Sequence, residues 1–318
     1  MKKYDVISFG SGLVDAFIYT DIVEGSGKLC IPSGTKVLVD KVNFSVGGGG
    51  INTSVCISKI GLKSGFLGKI GHGYNSKIIL RELKKANVDF LGVNGKEHAG
   101  YSFILESKSH HRTILTYKGA SNLLKYDEIK LGKMNSKWVH ISSLAGDSFA
   151  SQKKFVDFAK RNGMKVSFNP SSYQIRKGIE PLRKMLRNTD FLSLNMEEAE
   201  MLVGKNNIYK KIHELGPSIV CITDGARPGY VSDGIYVYKY SPKKVDVKEK
   251  TGAGDVFSST FIAGLIKTGD IKESIKAAVI NSASLVSTPG SRKGLLSWKE
   301  IKGKSDKENI IIKRVNLK

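Results

Sequence analysis

Cysteine is scarce in this chain. Cys30, Cys56 and Cys221 are its three thiols, far apart and with no C-x-x-C pair, so neither a disulfide framework nor a zinc site is indicated. Reduced, mostly buried thiols are the expectation. No run of roughly eighteen apolar residues occurs, so no transmembrane helix is expected. Met1-Lys2-Lys3-Tyr4-Asp5 leads straight into the strand-like Val6-Ile7-Ser8-Phe9 without the apolar core of a signal peptide, and a cytoplasmic protein is expected. The six histidines show no metal spacing; His110 and His111 fall at an expected hairpin tip, where solvated side chains belong. Two common nucleotide fingerprints are also missing. Gly10-Ser11-Gly12-Leu13-Val14-Asp15 fails the dinucleotide pattern because Asp15 takes its last glycine position. Gly25-Ser26-Gly27-Lys28 and Gly65-Phe66-Leu67-Gly68-Lys69 lack the spacing or the Ser/Thr of a Walker A loop.

Acidic residues are under-represented: 29 Asp and Glu stand against 51 Lys and Arg, a formal net charge of +22. That balance draws nucleic acids, anionic membranes and phosphorylated small molecules alike. The lysines are scattered over surface-like helix positions such as Lys59, Lys77, Lys84, Lys153, Lys154, Lys210 and Lys211, without interleaved aromatics, so specific nucleic-acid binding is not expected.

With 318 residues, 40% of them hydrophobic and 25% charged, the chain has the composition of an ordinary globular protein. Strand-like and helical segments alternate through most of it, the pattern of an α/β protein whose parallel sheet is covered by helices on both faces. The expected core strands are 5–10, 64–70, 137–142, 165–169, 190–195 and 219–223. Helices are expected over 52–60, 75–86, 151–161, 196–203, 254–268 and 271–286. Ligands of such sheets bind beyond the carboxyl ends of the strands. Residues 15–46 and 99–119 break the alternation and look β-rich. Ala99–Leu105 and Arg112–Tyr117 read as a hairpin, and Lys36–Val46 as a further strand. Together they would form a small sheet too slight to stand alone, suited to a lid over an active site. Residues 1–14, 47–98 and 120–300 make up the main domain. The basic tail, 301–318, carries Ile310-Ile311-Ile312 as a candidate edge strand.

The most telling segment is Thr251-Gly252-Ala253-Gly254-Asp255, followed by the apolar, small-residue helix Val256–Leu265. A helix start offers unpaired N–H groups and partial positive charge, and residues without bulk let an anion approach them. Asp255 beside that anion repels it, but can take a proton from a hydroxyl attacking phosphorus. A soft loop capped by Asp is the plainer reading of the same pentapeptide. Gly47–Gly50 enters another helix at Ile51-Asn52-Thr53-Ser54; it suits a polyol held by exposed N–H groups and the Asn52 amide, or a hinge. Asp15, past the first strand, can accept from two sugar hydroxyls or serve in a turn. Asn195 and Glu198, three apart where a strand meets a helix, can hold water around Mg²⁺ or cap the helix. Thr223-Asp224-Gly225 ends a strand and either touches nucleotide phosphate or turns the chain.

Taken in order, residues 4 to about 295 resemble the ribokinase-like carbohydrate kinases, the phosphofructokinase-B family. The Gly47–Gly50 cluster with Asn52, Thr53, Ser54, Gly61 and Gly71 matches its first signature, and Gly252–Asp255 with the following helix its second. The resemblance implies a three-layer fold with a central mostly parallel sheet and a β lid, and a kinase using ATP and Mg²⁺. It makes Asp255 the base and the amides of Gly252, Ala253 and Gly254 the anion hole. Asn195 and Glu198 would organise Mg²⁺; Thr223, Gly225, Thr251 and Asn281 would meet the nucleotide. Asp15, Gly48, Asn52, Arg112 and Asn169 would meet the sugar. Relatives carry Asp-Thr where this chain has Glu249-Lys250, which puts the monovalent-cation site in question. Dimers through the lid are common among relatives. A free ribose- or fructose-like sugar is the leading acceptor. A nucleoside kinase would need an aromatic shelf, for which Phe17, Tyr19, Tyr101 and Phe103 are candidates. A phosphosugar kinase would need two or more basic groups at the acceptor mouth, where Arg112 is the one candidate. A non-catalytic sensor would have no use for Asp255.

Overall fold

The computed structural model describes residues 3–25, 28–31, 33–108, 112–288 and 292–316. His110 and His111 lie outside them, as do Ser26 and Gly27. Strands Ile219–Thr223, Phe191–Asn195, Lys165–Asn169, Ser136–Ser142, Tyr4–Phe9, Ser64–Leu67 and Asp89–Phe90 lie side by side in that order and run parallel. Antiparallel strands Gly229–Ser232, Tyr236–Tyr240 and Ile312–Asn316 extend one edge to ten strands.

Because both faces of a parallel sheet are covered, its strands are apolar on both sides. Val6 and Trp138 point into one core with Ile51, Phe261, Ile262 and Ile275 of helices Gly49–Lys59, Ala253–Thr268 and Ile271–Val286. Ile7 and Val139, one residue on, point into the other with Phe155, Leu186, Ala199 and Ile212 from the helices of the opposite layer. Every side chain from Val256 to Gly264 is buried, so this helix is a central element and not an amphipathic surface one.

The small sheet stands apart in the order Arg112–Tyr117, Gly100–Glu106, Leu13–Tyr19, Lys41–Gly47. Strand alternation divides its side chains. Asp15, Phe17, Ser102, Ser45, Thr116 and Arg112 share one face by register; Phe44, Phe103, Leu115 and Tyr117 share the other. Those last four are all exposed.

Several elements differ from the sequence reading. Residues 64–70 are two strands, since Lys69–His72 leaves the main sheet to pair with Val93–His98. The strand expected from Lys36 begins at Lys41. The tail strand is Ile312–Asn316, which takes in only the last isoleucine of the triplet: alternate residues of a mixed apolar and basic segment suffice for a one-sided edge strand.

Candidate active site

The helix Ala253–Thr268 begins at Gly252, whose φ of 80° and ψ of 0° place it in the left-handed region that glycine adopts at least cost. Asp255 therefore sits in the first helical turn. Its Oδ2 accepts a 2.9 Å hydrogen bond from Nδ2 of Asn52 on the helix Gly49–Lys59. Burial raises the pKa of Asp255, opposed by the Asn52 hydrogen bond and the charge of Lys118. A base with a raised pKa, still held ionisable by a donor and a cation, is suited to proton abstraction.

The glycine run threads between two carboxylates. A Cβ on Gly47 would lie 1.9 Å from Oδ2 of Asp15, and one on Gly49 would lie 2.9 Å from Oγ of Ser142 and 3.5 Å from Oδ1 of Asp255. Any larger side chain at Gly47 would displace Asp15. Asp15 is 5% exposed, and burial pushes its pKa up to about 6. Ser102, Lys118 and Arg292 counter that rise and Glu249 adds to it. Asn52 Oδ1 and Ser142 Oγ are buried without a hydrogen-bond partner among the described residues. Such groups mark places where a polar ligand is accepted. Sequence reasoning passed over Ser142, Lys118 and Arg292: no motif holds them, and only the fold brings them together.

Arg112 does not stand free over the acceptor site. Its guanidinium pairs with Glu249 and donates to Oγ1 of Thr251 at 2.8 Å, while the amide of Thr251 donates to Oε1 of the same Glu249 at 2.8 Å. The small sheet is thus tied to the segment that opens the Gly252–Asp255 turn. Lys250 is exposed.

Asn195 and Glu198 form a reciprocal cap, with Glu198 N donating to Asn195 Oδ1 at 2.8 Å and Asn195 N to Glu198 Oε2 at 3.1 Å. Ser172 donates to Glu198 Oε1 at 3.0 Å. Burial nevertheless raises the pKa of Glu198. Thr223 ends the neighbouring strand, in register with Asn195, and Gly225 follows at φ 59°. Asn169 ends the next strand, its Nδ2 donating to the carbonyl of Ser193 at 2.8 Å. These three strand ends open on the side expected of a ligand site in a parallel sheet.

Asn281 requires a correction. Its side chain is fully buried, donating to Thr260 Oγ1 at 2.8 Å and accepting from the amide of Leu296 at 2.9 Å. It locks two helices together, and both of its polar atoms are already engaged. Tyr101 and Phe103, stacked with ring centroids 4.9 Å apart, lie on the face of the small sheet opposite Asp15, so neither supplies a shelf beside it.

A mostly parallel three-layer sheet, with a carboxylate in the first turn of a glycine-opened helix and a small sheet tied to that turn, defines a small-molecule kinase. The chain belongs to the pfkB family of carbohydrate kinases, whose model matches residues 4–298. It is 27% identical over 248 residues to a sugar kinase of Archaeoglobus fulgidus, covering 75% of this chain and 97% of that one. It is 26% identical over 294 residues to an ATP-dependent 6-phosphofructokinase of Thermoanaerobacterium thermosaccharolyticum, covering 89% and 88%. Its fold superposes on the ribokinase of Thermotoga maritima with a TM-score of 0.81 at 22% identity, over 96% of this chain and all of the other.

Proposed function

We propose that this kinase transfers the γ-phosphoryl group of ATP to a hydroxyl of a sugar, with Asp255 accepting the hydroxyl proton. The observation that carries the reading is the Asn52–Asp255 hydrogen bond at 2.9 Å beside the turn at Gly252. As the acceptor oxygen bonds to phosphorus and the bridging oxygen leaves with ADP, the proton passes to Asp255. The amides of Gly252 and Gly254 face the charge that develops, and that of Ala253 joins them on release from the Lys250 carbonyl it meets at 3.3 Å. Asn52 orients the base, and Asp15 and the Ser142 hydroxyl bind acceptor hydroxyls.

On the nucleotide side, Thr223, Gly225 and Thr251 line the phosphates. No cluster of three or more metal-ligating side chains occurs among the described residues, which suits Mg²⁺ held on phosphate oxygens and water, with Glu198 and Asn195 ordering that water. Bound there, Mg²⁺ would neutralise charge on the transferring group. The Arg112 guanidinium on Glu249 makes a monovalent cation at that carboxylate unnecessary.

The small sheet, whose strands Leu13–Tyr19, Lys41–Gly47, Gly100–Glu106 and Arg112–Tyr117 correspond to the expected 15–46 and 99–119, serves as the lid. Its outer row of Phe44, Phe103, Leu115 and Tyr117, exposed by 42–64%, suits a homodimer through the lid. Conversion to monomers by Phe44→Glu, read by sedimentation, tests that assembly. No described helix is long and apolar enough to cross a membrane, and a cytoplasmic kinase is proposed. The test of the activity is Asp255→Asn, expected to lower turnover by at least ~10² with acceptor affinity nearly intact. Near-normal turnover would remove Asp255 from the role.

A further inference from the structure

Two cations that no motif identifies lie within electrostatic reach of Asp15. Arg292 follows the helix Ile271–Val286, and its side chain is 13% exposed. Nε and Nη1 have no hydrogen-bond partner among the described residues; the nearest carboxylate, Glu82, stands 3.6 Å from Nη1. Lys118 directly follows the lid strand Arg112–Tyr117, and its ammonium forms no ion pair among the described residues.

Asp15 feels both Lys118 and Arg292, together with Glu249. Lys118 feels the charges of Asp255 and Asp15, and Arg292 those of Glu82 and Asp15. Arg112 already neutralises Glu249. Glu82 is one-third exposed, so water screens its hold on Arg292. Lys118 and Arg292 are thus two largely buried cations among Asp15, Asp255 and the screened Glu82, and Arg292 is the one whose donors lack hydrogen bonds. A guanidinium removed from water with two nitrogens lacking a hydrogen bond, one of them held only at 3.6 Å by a half-screened carboxylate, is costly unless an anion satisfies it, and its planar fork matches the two oxygens of a phosphate or carboxylate.

We infer that the acceptor is an anionic sugar, a sugar phosphate or a sugar acid, whose charged group is bound by Arg292 with Lys118 beside it. This rests on the kinase reading above and narrows its substrate class. The neutral end of the acceptor then lies along Asp15, Ser142 and Asn52, with its free hydroxyl at Asp255. Arg112 has no part in the recognition, being held by Glu249 and Thr251.

The experiment compares kcat/KM with Mg²⁺-ATP for matched acceptors: fructose against its 1- and 6-phosphates, ribose against its 1- and 5-phosphates, and glucose against gluconate and 2-ketogluconate. An anionic member should exceed its neutral parent by at least ~10². The phosphate and carboxylate arms distinguish the two sources of charge. Arg292→Gln should reduce that preference at least ~10-fold and Arg292→Lys should restore part of it, while Arg81→Gln, on an exposed helix face, should leave it alone. Should Arg292→Gln fail to fold, the preference of the parent protein and its thermal stabilisation by each acceptor without nucleotide still decide. A neutral sugar preferred over every charged counterpart overturns the inference and leaves the kinase reading standing. Nucleotide binding with no phosphorylation of any acceptor overturns both.

Discussion

Asn52 and Asp255 lie 203 positions apart in the chain and meet through a 2.9 Å hydrogen bond, Nδ2 to Oδ2. The first signature thus orients the carboxylate supplied by the second. Burial raises the pKa of Asp255 and the Asn52 donor lowers it, so removing that donor must raise it further. In Asn52→Ala the acidic limb of the kcat profile should move to higher pH, and turnover at neutral pH should fall by about 10-fold or more. A loss of turnover with an unmoved limb would make Asn52 a packing residue only.

Asn281 tests the difference between a nucleotide contact and a helix lock. Asn281→Ala strands the Leu296 amide and the Thr260 hydroxyl in a dry interior and leaves a small cavity. A destabilisation of about 2–4 kcal/mol is expected, read from the denaturation midpoint. KM for ATP in the remaining folded protein should change little. A selective rise in that KM with unchanged stability would return Asn281 to the adenine site.

Local patterns reveal most of this fold. The apolar runs at 165–169 and 219–223 and the helices at 196–203 and 271–286 carry their boundaries in the sequence, because caps and strand ends use a small set of residues. The glycine turns and Asp255 are legible for the same reason: close backbone approach leaves few alternatives to glycine. Lys118 and Arg292 are not legible. One follows a lid strand and the other follows a core helix, and each resembles any other surface cation of a chain with a +22 formal charge. Only tertiary packing distinguishes them. Arg112 was legible as a lid residue but not by its partner, since its pairing with Glu249 spans 137 positions.

Arg112 and Glu249 form a largely enclosed pair, with side chains 17% and 6% exposed. Deleting either one leaves the other charged and unpaired, so Arg112→Ala and Glu249→Ala should each cost more than half of what the double variant costs. A double-mutant cycle on kcat/KM should show a coupling of about 1–3 kcal/mol. With the guanidinium on this carboxylate, exchanging Na⁺ for K⁺ should leave turnover unchanged. Additive single effects, or strong K⁺ activation, would show that the pair does not tie the lid to the Gly252 turn during catalysis.

Asp15 gives the clearest dependence on pH. Its pKa moves from an ordinary 3.8 to about 6 in the fold, chiefly through burial. A raised carboxyl pKa means that the native state holds the proton more tightly than the unfolded chain. The stability from this group is therefore full below about pH 4 and is lost as pH rises to about 6, a change of about 3 kcal/mol for a difference of this size. Asp15→Asn carries no such titration, so its stability relative to the parent should improve across that interval, as followed by urea denaturation. Function runs the other way. The ionised carboxylate accepts two sugar hydroxyls where the acid accepts less well, so kcat/KM for the acceptor should climb with pH through about 6 in the parent. In the Asn variant that step should vanish, leaving only the limb that belongs to Asp255 in the profile of kcat. An unchanged step in the variant would assign the titration to Asp255 and leave Asp15 as a neutral hydrogen-bonding group throughout.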